Sequence, residues 1–197
     1  MKALKVIGAT LLAVIVLMLV ISFFLPARVH VERSAVIKAS PDIVFDQVNV
    51  LRNWERWSPW HKIDPEMKLT YSDIPSGKGA FYDWKSTNDN VGNGKLTITD
   101  SHPYEYIGVE MDFMENGKAK GTYTFVKEDE GTKVTWSMDS DMGMNPVGRY
   151  IGLMMDRMVG PDFEKGLANL KEVCEKTPAP EANAATAVAD STAAQTR

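Results

Sequence analysis

Few residues in this sequence could carry covalent chemistry, and their spacing argues against most of it. His30, His61 and His102 lie about 30 to 40 residues apart, and none stands in His-x-x-x-His or His-Glu-x-x-His spacing, so a zinc or iron site would have to be assembled wholly by the fold. No metal and no cofactor is expected. Cys174 is the single cysteine, with no histidine near it in sequence and no Gly-x-Ser-x-Gly elbow elsewhere, which leaves nucleophilic catalysis without support. The pieces Gly77-Lys78-Gly79 and Gly92-Asn93-Gly94 precede strand patterns and lack a third glycine opening a helix, so they read as turns and not as phosphate loops. Asp64 before Pro65 could act as an acid or base, but a carboxylate in that position is the usual cap of a turn. The sharpest feature is Trp54, Trp57 and Trp60, three indoles within seven residues, which offer apolar area and N–H groups able to orient a ligand. Packing between the short helices and the sheet is the favoured reading of Trp54 and Trp57, whereas Trp60, which closes the motif where the chain is expected to enter a loop, fits either role. A methionine-rich face, Met144, Met154, Met155 and Met158, has the unbranched thioethers that repack around apolar partners of different shape, or fill a core.

The elements that must position these residues follow from periodicity. Val29, Val31, Ala35 and Ile37 share one face of a first strand. Ser40-Pro41-Asp42 then caps a helix carrying Ile43, Val44, Val48 and Leu51. After Asp64-Pro65, breaks at residues 75–77, 88–90, 92–94, 101–103, 115–117 and 129–131 separate six strands, with Asn116-Gly117 and Glu130-Gly131 as hairpin turns too short for parallel crossovers. Parity places Leu96, Ile98, Ile107, Val109, Met111, Phe113, Tyr123, Phe125, Val134, Trp136 and Met138 on the inner face. After Asn145-Pro146 a helical stripe of Val147, Ile151, Met154, Met155 and Met158 continues into Phe163, Leu167, Leu170 and Cys174, with a kink expected at Gly160-Pro161. The fold class is α+β: a curved antiparallel sheet of about seven strands wrapped on a long C-terminal helix.

The termini differ from this body. Val6 to Leu25 holds no charged residue, and about 20 residues at 1.5 Å rise cover the roughly 30 Å of a bilayer core. A cleaved signal would have a shorter apolar core and a small residue where Leu25 stands before Ala27, so residues 1–28 read as a retained membrane anchor. Lys2 and Lys5 beside the span favour a cytoplasmic amino terminus, and hence a single-pass inner-membrane protein with its body outside the cytoplasm. Residues 177–197, rich in Ala, Thr and Pro without an aromatic side chain, read as a disordered tail. The net charge of −4 and the lack of a basic block exclude nucleic acid as partner.

Within residues 29–176, the run Trp57-Ser58-Pro59-Trp60, Asp64-Pro65, Gly77-Lys78-Gly79, Trp84, Gly92-Asn93-Gly94, Thr132-Lys133-Val134-Thr135-Trp136 and Phe163 to Leu170 resembles the SRPBCC superfamily. It is most similar to the bacterial polyketide cyclase/dehydrase and lipid-transport-like branch, related to START and Bet v 1 domains. That resemblance implies a helix-grip fold with an apolar cavity between sheet and helix, which the small residues around Gly108 and Gly152 would leave room for. The expected lining is Trp57, Trp60, Trp84, Met111, Phe113, Tyr123, Trp136, Met138, Ile151, Met154, Met155 and Met158. The missing catalytic set favours a membrane-anchored binder of a lipid or other hydrophobic small molecule over an enzyme. The alternatives are a cyclase/dehydratase in which His61, Asp64 or Glu110 moves a proton, and a protein-interaction or stress-response module recruiting a partner through an edge strand.

Overall fold

The computed structural model describes residues 2–114 and 117–177. Asn116 of the expected Asn116-Gly117 turn, and the expected tail beyond Thr177, lie outside the described residues. Helix α1 (Lys2–Ser22) is followed by strand β1 (Arg28–Ile37) and helix α2 (Pro41–Asn49). A 3-10 turn (Leu51–Asn53) leads to the short helices α3 (Trp54–Trp57) and α4 (Pro59–Ile63). Six strands follow: β2 (Lys68–Tyr71), β3 (Phe81–Lys85), β4 (Asn93–His102), β5 (Tyr106–Asp112), β6 (Lys118–Glu128) and β7 (Gly131–Asp141). Helices α5 (Pro146–Gly152) and α6 (Met155–Lys176) complete the described chain.

The sheet runs β1-β7-β6-β5-β4-β3-β2, antiparallel throughout. Sequence neighbours from β2 to β7 pair as a meander, and β1 closes the far edge by pairing Arg28 with Asp141 and Ile37 with Thr132. A register shift between Ile98 and Asp100 inserts a residue into β4 and strengthens the local bend. Alternation sets the faces as expected, with Leu96, Ile98, Ile107, Val109, Tyr123, Phe125, Val134, Trp136 and Met138 all buried. The turn between β6 and β7 requires glycine: Gly131 has φ +138°, and a Cβ there would lie 2.1 Å from the carbonyl oxygen of Ile37.

Helix α6 lies in the concave face, burying Phe163, Leu167, Leu170 and Cys174. Arg33 shares strand parity with Val31 and Ala35, and its Nε and Nη1 donate to Glu164 and Asp156 of α6, each at 2.8 Å. Its guanidinium crosses the helix at Gly160, where a Cβ would come within 2.2 Å of Nη2. At the other end Lys171 donates to the Val36 carbonyl and Glu175 accepts from the Lys38 amide.

The C-terminal helices depart from the expected pattern. Pro161, the site of the expected kink, lies inside α6, which runs on through it, and a break that the pattern does not predict falls at Leu153–Met154, between α5 and α6. That break resets the helical phase, so the stripe does not continue from one helix to the next. Val147 and Ile151 on α5 and Met154 at the break are exposed, and within α6 the inner face runs through Met155, Val159 and Phe163, which leaves Met158 exposed as well. Ser40 occupies the N-cap of α2 in extended conformation but makes no side-chain capping bond. Asn145 does cap α5, its Oδ1 accepting from the amides of Val147 and Gly148 at 3.1 Å.

Candidate ligand-binding site

The space between sheet and α6 is built around Trp136. Its indole stacks on Phe163 with centroids 4.0 Å apart and planes 8° from parallel, and Tyr123 stacks at 5.2 Å on the same ring system. Trp57 and Trp60 meet it edge-on, each at 5.9 Å. This approach is permitted by Gly166, where a Cβ would fall 2.6 Å from Trp136 Cζ3. The open volume expected here is thus occupied by aromatic rings. The small residues thought to leave room are likewise closed over: a Cβ on Gly152 would meet Val29 Cγ2 at 2.8 Å, and one on Gly108 would meet the Tyr106 hydroxyl at 3.0 Å. In both places glycine admits a neighbour and leaves no gap.

Of the expected lining, Trp57, Trp84, Tyr123, Trp136 and Met138 are buried together. Trp60, Met111, Phe113 and Met155 are half-buried against them, and Phe113 packs edge-on to Trp84 at 5.9 Å. Ile151, Met154 and Met158 are a correction: they are exposed, Ile151 and Met154 because the helix is interrupted at Leu153–Met154, and Met158 because the inner face of α6 runs through Met155, Val159 and Phe163. Trp60 lies within α4 and not at the entry to a loop. The indole N–H groups of Trp54 and Trp57 donate to the Val48 and Gln47 carbonyls at 2.8 and 3.0 Å, so these two tryptophans fasten α3 to α2 and have no donor left for a ligand.

Polar groups enter this apolar interior from the strap formed by α2, α3 and α4. Both ring nitrogens of His61 are buried without a hydrogen-bond partner, as are Ser58 Oγ and Gln47 Oε1. Burial holds the His61 imidazole below its ordinary value of 6.5, so near neutral pH it presents one donor and one acceptor. Its ring faces Tyr82 at 6.2 Å, and Tyr82 faces Tyr71 at 5.8 Å. The Tyr71 hydroxyl donates to Glu55 at 2.7 Å beneath the Arg52 guanidinium, 4.3 Å from the ring centroid. Burial pushes the hydroxyls of Tyr71, Tyr82 and Tyr123 upward, with the Glu55 carboxylate adding to the effect on Tyr71. Glu55, Tyr71, Tyr82 and His61 are thus successive neighbours, joined by one hydrogen bond and two ring contacts. The strap is latched to α6 by Asn169, which donates to the Trp57 carbonyl at 3.0 Å and accepts from Lys62 at 2.7 Å.

Sequence reading missed Tyr82, Tyr71 and Glu55. Tyr82 was within reach, since it shares strand parity with Trp84 and is equally buried. The other proton-transfer candidates serve elsewhere. Asp64 caps its turn, accepting from the Glu66 amide at 3.1 Å and from the Ser86 hydroxyl, and Glu110 pairs with Lys118 at 3.3 Å. Among the described residues no group of three or more His, Cys, Asp or Glu could hold a metal ion.

The buried imidazole predicts a pH signature. An unfolded chain takes up a proton on His61 near pH 6.5 while the folded chain resists until lower pH, so this residue's contribution is intact above 6.5 and is lost as pH falls toward the folded value. His30 works in the opposite sense, because its hydrogen bond to Asp139 raises its value. Denaturation midpoints of the wild type and His61→Gln in detergent, measured from about pH 8 to about pH 5, should isolate the His61 share. The wild type should lose more stability than the variant on acidification. Parallel curves would show that the imidazole is not held neutral.

The family model for polyketide cyclase/dehydrase and lipid transport matches residues 28–175. No curated protein matches the chain significantly. Among solved structures, a protein of unknown function from Staphylococcus aureus, SA2116, superimposes with TM-score 0.56 at 13% identity, covering 76% of this chain and 97% of that one. The di-domain aromatase/cyclase StfQ of the steffimycin biosynthetic pathway superimposes with TM-score 0.57 at 13% identity, over 76% of this chain and 51% of that protein. The Aha1 dimer of Colwellia psychrerythraea gives TM-score 0.52 at 14% identity, over 75% and 97%. At these identities the structures share a fold, and function must be argued from the site. With a sheet that grips one long helix and a family match over three-quarters of its length, the chain belongs to the polyketide cyclase/dehydrase and lipid transport family of the SRPBCC superfamily.

Proposed function

We propose that this protein is a membrane-anchored binder of a lipid or other hydrophobic small molecule, taken up between the sheet and the α2–α4 strap with its polar end at His61. The observation that carries the reading is the set of unpartnered polar atoms, on His61, Ser58 and Gln47, in an interior otherwise built of aromatic and aliphatic side chains. A buried group without a partner costs about 1–3 kcal/mol, and a ligand bringing one hydroxyl, carboxylate or carbonyl recovers part of that. Entry requires the strap to lift, and its short helices, of four and five residues, held by the Asn169 latch, suit such a movement. Helix α1, long and apolar enough to cross a membrane, tethers the binder where apolar ligands are found. In this reading residues 1–28 are the anchor and 29–176 the binding domain. Lys2 and Lys5 keep the amino terminus in the cytoplasm, and the domain faces the other side of the inner membrane.

Native mass spectrometry of the full chain released from detergent tests this directly. An apolar adduct should be retained, and His61→Ala should weaken its retention by about tenfold, as loss of one buried hydrogen bond implies. A bare mass, with no displacement of a fluorescent fatty acid, would remove the binder reading. The cyclase/dehydratase reading is favoured by one observation, the buried His61 imidazole next to Tyr82, which has the form of a general base. A modified product released from the chain, and lost in His61→Ala, would select it.

A further inference from the structure

From Met142 to Met155 the sequence MGMNPVGRYIGLMM contains no carboxylate and a single charged residue, Arg149. Six of its neighbourhood's large apolar side chains, Met144, Val147, Ile151, Leu153, Met154 and Met158, are exposed. This patch is joined to α1. The Arg149 guanidinium is buried and donates from Nη1 to the carbonyls of Ser22, Phe23 and Leu25 at 3.1, 3.0 and 3.3 Å, closing the C-terminal end of α1, while its Nε donates to the Gly143 carbonyl. The Tyr150 hydroxyl donates to the Met18 carbonyl at 2.8 Å. Met18 lies four residues before the end of α1, or about 6 Å along its axis. Helix α5 is therefore held level with the last turn of α1, beside the exposed Phe23 and Phe24.

We propose that the α5 surface and the start of α6 form a second membrane contact, seated in the lipid headgroup and acyl boundary on the side where α1 emerges. This inference rests on α1 spanning the bilayer, and it names lipid as the partner of the exposed apolar face. The height of α5 is dictated by its bonds to α1, so if the last turn of α1 lies at the boundary, so does the patch, whichever side the domain occupies. An interfacial helix buries its apolar side about 5–10 Å into that boundary. Arg28 and Arg157 stand exposed at its rim, where lipid phosphates accept guanidinium hydrogen bonds. Asp156, the nearest carboxylate on the α6 side, is turned to Arg33, so no unpaired acid from that end opposes the phosphates. Beyond seating the domain, the contact would fix its tilt: strand β1 begins beside α1 and runs away from it, so the β6–β7 turn at Gly131 is carried to the distal end.

Single-cysteine variants of the full chain test the seat. Cys174 is buried, with its thiol pushed up to about 12, so it does not compete for label. Val147→Cys, Met154→Cys, Leu12→Cys within α1 and Glu130→Cys at the distal turn are each labelled with an environment-sensitive fluorophore and reconstituted in phosphatidylcholine vesicles. The same vesicles carrying phosphatidylcholine with a nitroxide either high on its acyl chain, for positions 147, 154 and 130, or near the chain end, for position 12 at mid-bilayer, then report lipid contact. Emission at positions 147 and 154 should be shifted to the blue and quenched by about twofold or more, while position 130 stays water-like and unquenched. Quenching at position 12 without quenching at 147 and 154 would overturn the membrane seat and leave the anchor standing. A blue shift at 147 and 154 without quenching would mean that protein, a second copy or a partner, covers the face, and would also overturn it. Absence of quenching at position 12 would remove the anchor reading and this inference with it.

Discussion

Trp136→Ala should lower the unfolding free energy of the domain by about 3–5 kcal/mol, the range for a large aromatic removed from a packed core. Trp136 is 2% exposed and touches rings from the strap, the sheet and α6: Trp57, Trp60, Tyr123 and Phe163. The local structure cannot collapse into the gap, because Tyr123 is fixed by the β6–β7 ladder and Phe163 by α6. Chemical denaturation of the full chain in detergent, followed by tryptophan emission and by circular dichroism, would measure it. A loss below about 1 kcal/mol would mean that the central stack is loosely filled. Such a result would itself favour a resident cavity. Trp136→Phe should cost less than alanine, since the face toward Phe163 survives.

Arg149→Met should free the junction between α1 and the domain, raising hydrogen exchange over residues 23–29 by roughly a hundredfold. One guanidinium reaches the carbonyls of Ser22, Phe23, Leu25 and Gly143. Ser22 keeps the Leu25 amide as a donor, while the other carbonyls, once orphaned, cost about 1–3 kcal/mol each, of which water at the more open ones recovers part. A net loss near 3 kcal/mol gives that factor in local opening. Arg149→Lys should fall between, because a single ammonium cannot span acceptors distributed along the fork. Exchange mass spectrometry that found residues 23–29 unchanged in Arg149→Met would show that the junction is held by other contacts. The sheet should keep its protection in either variant, since the hydrogen bonds of Arg149 go to Ser22, Phe23, Leu25 and Gly143, outside the strands.

The two variants also separate the parts of the proposed function. Loss of the central stack should alter ligand retention while α1 and α5 remain level with each other. Loss of the Arg149 clamp should alter the position of the domain at the bilayer while the aromatic interior stays intact.

Much of the candidate site was legible because strand parity is strict. Met111, Phe113, Tyr123, Trp136 and Met138 could be assigned to one face from alternation alone, and that face turned to α6. Trp84 entered only through the family resemblance, although the alternation of β3 buries it beside Tyr82. His61 was visible only as one of three dispersed histidines, and nothing in its spacing marked it as the one whose nitrogens are buried. Tyr82, Tyr71 and Glu55 join it through the β2–β3 pairing and the α3 turn, contacts between segments that no local period encodes.

The amino-acid sequence by itself determined the apolar span at the start, the seven-stranded antiparallel sheet and the face of it that is buried, since each depends on a short repeat within one segment. Tertiary structure alone decided where the first half of that face's helical partner lies. A two-residue interruption of the helix at Leu153–Met154 separates α5 from α6, and Arg149 and Tyr150 bind α5 to α1 across more than a hundred residues. Helical period predicts which side chains share a stripe, but it carries no information on what that stripe will face once a helix breaks. Ile151 became surface together with α5, because hydrogen bonds to a distant helix end set the orientation that periodicity could not, while Met111, Met138 and Met155 stayed against the core.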